Sequence, residues 1–297
     1  MIESPLVSVV VRTKDEAASI GKTLRLLGEQ TVARRSEVIV VDSGSSDDTV
    51  AIARDAGAQV IEIPARGFTY GGSLNTGAAA ARAGLVVALS AHAFPLDDHW
   101  LERLVATFDD ERVACACGYE GDPVGRRLTG PRVQDAEDVA RHPHWGYSNV
   151  NGGFRRELWR ERPFREDMPG TEDKEWAWYW LHRGYVMVVD PALVVDHDHS
   201  DETPRERYAR WRREWLGLGM FVELPEYGLR ELAREWWTEQ AGRRSMLRSR
   251  LSPRRAAELA GTYAGRRAAR RAAGPPDTPR LVPTGPLVDA RIPPLQD

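Results

Sequence analysis

Short, almost wholly apolar runs alternate with stretches of three-to-four-residue apolar periodicity through the first third of the chain. "LVSVVVR" (6–12), "EVIVVD" (37–42), "AQVIEIP" (58–64) and "LVVALS" (85–90) have the length and β-branched content of buried strands. Between them, "EAASIGKTLRLLGEQ" (16–30), "SDDTVAIARDAG" (46–57, ending at Gly57) and "GSLNTGAAAARAG" (72–84) have helical periodicity. Another helix is expected behind Pro95, in "LDDHWLERLVATF". Strands apolar on both sides and separated by helices predict a mostly parallel sheet covered on both faces, a Rossmann-like α/β half.

The rhythm changes after residue 118. Residues 119–153 read as irregular chain with one short helix, which suits a substrate-shaping loop. "EDKEWAWYWLHRG" (172–184) is a predicted helix, "YVMVVDPALVVDH" (185–197) a broken strand pair, and 204–222 a helix full of Arg and Trp. Ten arginines against the single acid Glu258 fill 243–271, and seven prolines follow Gly274, which exclude helix or sheet for most of the end of the chain. These shifts divide the chain into 1–222 (with halves 1–118 and 119–222), a basic helical extension 223–273, and a tail 274–297 expected to be disordered or draped on the surface.

Composition narrows the function. A formal charge of −3 over 297 residues gives no global field for nucleic acid. The two cysteines, Cys115 and Cys117, alternate on one strand face as buried thiols and suit a reducing cytosol. No apolar run reaches the ~20 residues that span a bilayer, so a cytoplasmic protein is expected. The basic run 243–271 is either a solvated helix or a peripheral contact with the anionic inner face of a membrane. The Arg- and Ala-rich composition points to a high-G+C bacterium.

Chemistry is expected at the carboxyl ends of the strands. Asp42 ends the second strand before a Gly/Ser turn, where a carboxylate either accepts hydrogen bonds from a ribose or base, or merely closes the strand while Ser46 caps the helix. "LSAHAFP" (89–95) places a histidine in the turn after the fourth strand. No GxGxxG and no Walker lysine is present, so dinucleotide and P-loop readings are weak.

Taken in order, "VSVVVRTKDEAASIGKTLRLLGEQ...EVIVVDSGSSDDTVAIA", "LSAHAFP" and "GTEDKEW" resemble family 2 glycosyltransferases of the GT-A fold, nearest to the rhamnosyltransferase-like branch, over about residues 6–200. "SPRRAAELAGTYAGRR" (252–267) resembles that branch's C-terminal helix. The resemblance implies inverting transfer of a hexosyl or deoxyhexosyl group from a nucleotide-diphosphate sugar to a glycan, lipid-linked or small-molecule acceptor. It implies that Thr13, Glu16 and Asp42 hold the base, and that Arg66, Tyr70, Gly71 and Asn75 line the donor pocket. Asp173 then corresponds to the general base, with Glu172 supporting the acceptor or the helix dipole.

Where the family carries a D-x-D signature for Mn²⁺ or Mg²⁺, this chain reads Ser90-Ala91-His92. The leaving diphosphate still needs positive charge, which arginines of the 243–271 run would equally supply as a clamp. Either His92 ligates a metal together with His197 or His199 of "VVDHDHS", which share a side if the strand alternates, or it contacts phosphate directly. Trp176, four residues before Trp180, either stacks on the acceptor sugar or packs in the core. Asn151 and Gly152, with Gly153, would floor the acceptor side. The rival reading is a non-catalytic nucleotide- or sugar-binding module with a degenerate metal site, against which stands the intact "TEDKEW".

Overall fold

The computed structural model describes residues 4–118, 130–141, 143, 146–197, 202–238, 252–272, 274 and 277–285. Its first four long strands, β1 (Val7–Thr13), β2 (Ser36–Asp42), β3 (Gln59–Glu62) and β4 (Leu85–Ser90), run parallel in the order β3-β2-β1-β4. Beyond a short β5 (Phe94–Pro95), the sheet continues through β6 (Val113–Cys117), β7 (Arg132–Gln134), β8 (Asn151–Arg155) and β9 (Val186–Val189), giving eight strands in the order β3-β2-β1-β4-β8-β6-β9-β7. β8 is antiparallel to β4 and β6, and β7 to β9. β10 (Val195–Asp196) pairs with β5 as a small separate ribbon. The mostly parallel sheet flanked by helices is the expected architecture.

Alternation along β1 explains its two-sided burial. Val7, Val9 and Val11 join a core with α1 (Ile20–Gly28), α2 (Thr49–Asp55) and α4 (Trp100–Ala106), whereas Val10 points to the opposite core with α3 (Tyr70–Ala80) and, further along the sheet, α7 (Glu172–Leu181). Cys115 and Cys117 lie together in that second core, as free buried thiols. Burial pushes the Cys115 thiol well above its ordinary range.

Several boundaries differ from the sequence pattern, for local reasons. The helix expected from residue 16 starts at Ile20, because the N–H groups of Asp15, Glu16 and Ala17 donate to Ser45 Oγ, Thr49 Oγ1 and Asp47 Oδ2. These bonds tie the loop to its neighbour across the strand ends. The helix expected from residue 46 starts at Thr49, since the Asp47 carboxylate accepts from Thr49 N–H and Oγ1 at 3.0 and 2.5 Å. The helix expected just behind Pro95 starts at Trp100. The segment read as irregular also contributes more than one short helix, α5 (Ala136–Arg141). Its β7 forms the outer edge of the sheet, with Gln134 buried.

The C-terminal region is not a separate layer. Glycines on α10 (Pro253–Ala269) let α8 (Pro204–Phe221) come close. A Cβ on Gly261 would stand 2.6 Å from Tyr208 O, and one on Gly265 would stand 2.6 Å from Arg212 O. Two arginines of the basic run are structural: Arg266 lies over Trp215 and Tyr227 at 4.6 and 4.3 Å, and Arg255 pairs with Glu258. Arg243, Arg244, Arg248 and Arg250 lie outside the described residues. Among those described, no helix is long and apolar enough to cross a membrane.

Part of the tail is docked rather than merely draped. Thr278 bonds the buried Arg162–Glu175 pair, Pro279 O accepts from Trp178 Nε1, and the fully buried Leu281 bridges to Val222. The boundary at residue 274 therefore cuts through contacts that hold α7.

Candidate active site

The loops after β1 and β2 form one side of the site. Asp42 is fully buried, with Oδ1 accepting from the N–H groups of Gly44 and Ser45 and Oδ2 from Ser45 Oγ. Locally this carboxylate closes the turn that feeds α2, whose N-cap is Asp48 and not the expected Ser46. Asp15, at φ 53°, accepts from Ser46 N–H, so the two loops are bolted together. Asp47 is held below its ordinary carboxylate range, chiefly by the Thr49 hydroxyl. Thr13, opposite Asp42 in the β1/β2 register, has a buried hydroxyl with no hydrogen-bond partner among the described residues. That is a polar group suited to a ligand. Arg66 is exposed on the loop after β3.

Glu16 reaches the histidine turn. Its Oε1 lies 2.7 Å from His92 Nδ1. His92 and His197 come together as the sequence anticipates, but as a stack: their centroids are 4.8 Å apart and their planes within 6°. An imidazole binds a metal in its own ring plane, so two rings stacked in parallel do not converge on one ion. Among the described residues no group of three His, Cys, Asp or Glu side chains is arranged to hold a metal, and His199 lies outside them. No step below is routed through a metal.

The N-terminus of α7 forms the opposite side. Thr171, its N-cap, sits in the left-handed region at φ 60°, a conformation costing a β-branched residue about 1–3 kcal/mol. α8 packs directly against it: a Cβ on Gly217 would lie 2.0 Å from Gly170 O and 2.5 Å from Thr171 Oγ1. Asp173 follows in the first turn, with Oδ2 accepting from Asn149 N–H at 3.0 Å and Oδ1 from Lys174 N–H at 2.8 Å. Two residues of backbone link it to the histidine turn, because Val150 O accepts from Ser90 N–H at 2.9 Å. Glu172 is buried 3.7 Å from Arg12. Desolvation, and then the charge of Asp173, push its carboxyl up to about 7 against the pull of Arg12.

Other sequence candidates belong to the frame around the site. Trp176 is fully buried among Phe154, Phe164 and Tyr147, and its Nε1 donates to Arg162 O, so its ring has no face for a sugar. This corrects the acceptor-stacking reading. The half-buried Asn75 ties α3 to its neighbours, its amide bonding Phe164 and Glu166 of the 164–166 loop and accepting from Trp159 Nε1. Gly71 packs against that loop, where a Cβ would stand 2.3 Å from Arg165 O. Asn151 and Gly152 are buried in β8, paired with Leu89 and Ala88, and form sheet floor rather than acceptor surface.

Sequence reasoning gave no site role to Arg12 and Arg213. Both guanidinium groups approach Tyr70, the first residue of α3. Arg12 carries a readable signal, a charge ending the apolar run "VSVVV"; Arg213 is one of many arginines in its helix and carries none.

Comparison with known proteins follows the geometry. The sequence profile described as "Glycosyl transferase family 2" matches residues 8–164. The chain is 26% identical over 221 residues to the O-antigen chain rhamnosyltransferase RfbN of Salmonella typhimurium, covering 69% of this chain and 70% of that protein. To the O-antigen chain rhamnosyltransferase WbaN of Salmonella anatum it is 27% identical over 194 residues, 59% of this chain and 60% of that protein. The mannosyltransferase PcManGT of Pyrobaculum calidifontis, solved with GDP-Man and Mn2+, superposes with a TM-score of 0.59 at 22% identity, covering 93% of this chain and 78% of that one. S. aureus TarS 1-349 in complex with UDP-GlcNAc gives 0.51 at 14% identity, covering 90% and 92%. The fold is thus GT-A, and the profile match over more than half of the chain places this protein in glycosyl transferase family 2.

Proposed function

We propose that this protein transfers a hexosyl or deoxyhexosyl group from a nucleoside-diphosphate sugar to an acceptor hydroxyl with inversion, using Asp173 as the general base. The observation that carries the reading is the short link between Asp173 and the histidine turn, through Asn149 N–H and Val150 O. It keeps one carboxylate beside the turn where the family places the diphosphate. The names of the similar rhamnosyltransferases favour a deoxyhexose donor and a glycan acceptor.

In the transfer, Asp173 takes the acceptor hydroxyl's proton as that oxygen attacks the anomeric carbon. The bond from that carbon to the diphosphate oxygen breaks on the opposite face, and its electron pair leaves with the nucleoside diphosphate. A single base suffices, since no second carboxylate is needed to form a covalent intermediate. Thr13 and the Asp42 turn support the base end of the donor, and His92 the diphosphate. The Asn149 N–H fixes the orientation of Asp173, so that a near-attack geometry is set before substrate arrives.

The test is a transfer assay with nucleoside-diphosphate rhamnose, mannose and N-acetylglucosamine on a panel of glycan acceptors, with the product's anomeric configuration read by proton NMR. Inverted product from the wild type, and a fall in kcat of roughly 10²- to 10⁴-fold in Asp173→Asn, are expected. Retained configuration, or an Asp173→Asn variant of near-normal rate, would remove Asp173 from this role.

A further inference from the structure

Two guanidinium groups converge on one tyrosine beside the histidine turn. Arg12 Nη1 donates to Tyr70 O at 3.3 Å, and Arg213 Nη2 donates to Tyr70 Oη at 3.2 Å. Their carbon atoms lie 5.8 and 5.7 Å from the ring centroid. Arg12 meets one carboxylate, the buried Glu172, and Arg213 meets none among the described residues. Guanidinium groups with so little carboxylate countercharge are suited to completion by an anionic ligand. Tyr70 also opens α3, an eleven-residue helix whose N-terminus adds partial positive charge at the same place.

The location selects the anion. Arg12 is the register partner of Ser90 across β1/β4, and Ser90 opens the turn that carries His92. Val10 faces the α3 and α7 side of the sheet, and so does Arg12, two residues on. His92 is held from the other side, by Glu16 of the β1–α1 loop and by His197. The diphosphate assigned to this turn therefore has an imidazole on one side and two guanidiniums on the other. The ion-pairing function for which the stacked histidines lack a chelating geometry is available from Arg12 and Arg213.

We propose that Arg12 and Arg213 form a guanidinium clamp on the donor diphosphate, with Tyr70 as the spacer that sets their separation. The proposal rests on the glycosyl-transfer reading above. The fork of each guanidinium matches phosphate oxygens, and the charge that develops on the bridging oxygen as the glycosidic bond breaks falls between them. Arg213 lies on α8, beyond the segment that matches the family profile, so the clamp recruits the C-terminal helices to the site.

The test is calorimetric titration of UDP, GDP and dTDP, each beside its monophosphate, in EDTA so that only protein groups supply charge. Arg213→Met is the main variant, because Arg213 has no buried carboxylate to orphan; Arg213→Lys and Tyr70→Phe accompany it, with thermal unfolding as the control for folding. The wild type is expected to bind one diphosphate at least tenfold tighter than its monophosphate. Arg213→Met should weaken the diphosphate about 30-fold and the monophosphate less than threefold, with Arg213→Lys intermediate. An unchanged diphosphate-to-monophosphate ratio in Arg213→Met would overturn the clamp, as would wild-type binding that vanishes in EDTA and returns with Mn²⁺. A wild type that binds no nucleotide under either condition would instead overturn the glycosyl-transfer reading.

Discussion

The Asp42 turn and the N-terminus of α7 both offer carboxylates to the candidate site, and they are built on opposite principles. At the turn, each oxygen of Asp42 accepts from residues two or three positions along the chain, and the neighbouring loop adds bonds from Asp15. At α7, a β-branched N-cap is held in the left-handed region with α8 packed against it, and a buried glutamate is pushed toward neutrality. The first region is built from short-range bonds, and its left-handed residue, Asp15, is of a type that tolerates that conformation. The second concentrates strain and buried charge that only distant contacts maintain, which is the usual condition of groups that do chemistry.

The sharpest way to break this contrast is to disturb the α7 side from outside. Gly217→Ala places a methyl where Gly170 O and Thr171 Oγ1 already stand, so the N-terminus of α7 must move or α8 must retreat. A shift of roughly 1 Å at a catalytic carboxylate can cost about 10²-fold, and overpacking costs about 1–3 kcal/mol. We expect kcat to fall roughly 100-fold while affinity for the nucleoside monophosphate, held on the Asp42 side and away from Arg213 of α8, stays within about threefold. Steady-state kinetics with nucleotide calorimetry check both. Equal losses in the two would mean that the regions are not separable.

Asp42→Ala probes the other region and should do less to the chemistry. It removes the acceptor for two backbone N–H groups and one hydroxyl, a loss of about 1–2 kcal/mol of stability. Thermal unfolding should show a Tm several degrees lower, with donor KM raised a few-fold and kcat little changed. An unchanged Tm with nucleotide binding abolished would mean that the carboxylate reaches the base directly and that the turn bonds are incidental.

The same contrast explains what could be read from sequence. The strands, the crossovers, the buried cysteine pair and the Asp42 turn depend on residues close together, so periodicity and turn chemistry reveal them. Asp173 and the histidine pair were reachable through the family resemblance, since their types and order survive in the chain. What stayed hidden depends on tertiary neighbours. The stacking of His92 on His197 rather than convergence on an ion, the turning of Glu16 toward His92, the loss of Trp176 to the core and the bonding of Asn75 to Trp159 each follow from a partner far away in sequence. The tail was misjudged for a related reason. Its prolines do exclude regular structure, but Thr278 and Leu281 find partners on α7 and α8 that no local pattern announces.

The smallest effect, and the most specific to the strained side, concerns pH. Glu172 ionises near its ordinary value of 4.5 in the unfolded chain and at about 7 in the folded one. Between those values the folded chain binds the extra proton, so stability falls as pH rises through that window and levels off above it. Glu172→Gln stays neutral throughout and should lose this dependence. Its denaturation midpoint, compared with the wild type at pH 5, 6, 7 and 8, is expected to trace a flatter curve, with the gap in its favour widening toward pH 7. Its pH–rate profile should likewise lose a titration near 7 while kcat at pH 6 stays within a few-fold, because the base, Asp173, is untouched. Parallel midpoints across the series would show that Arg12 compensates the buried charge fully, and the α7 end would then be no more strained in charge than the Asp42 turn.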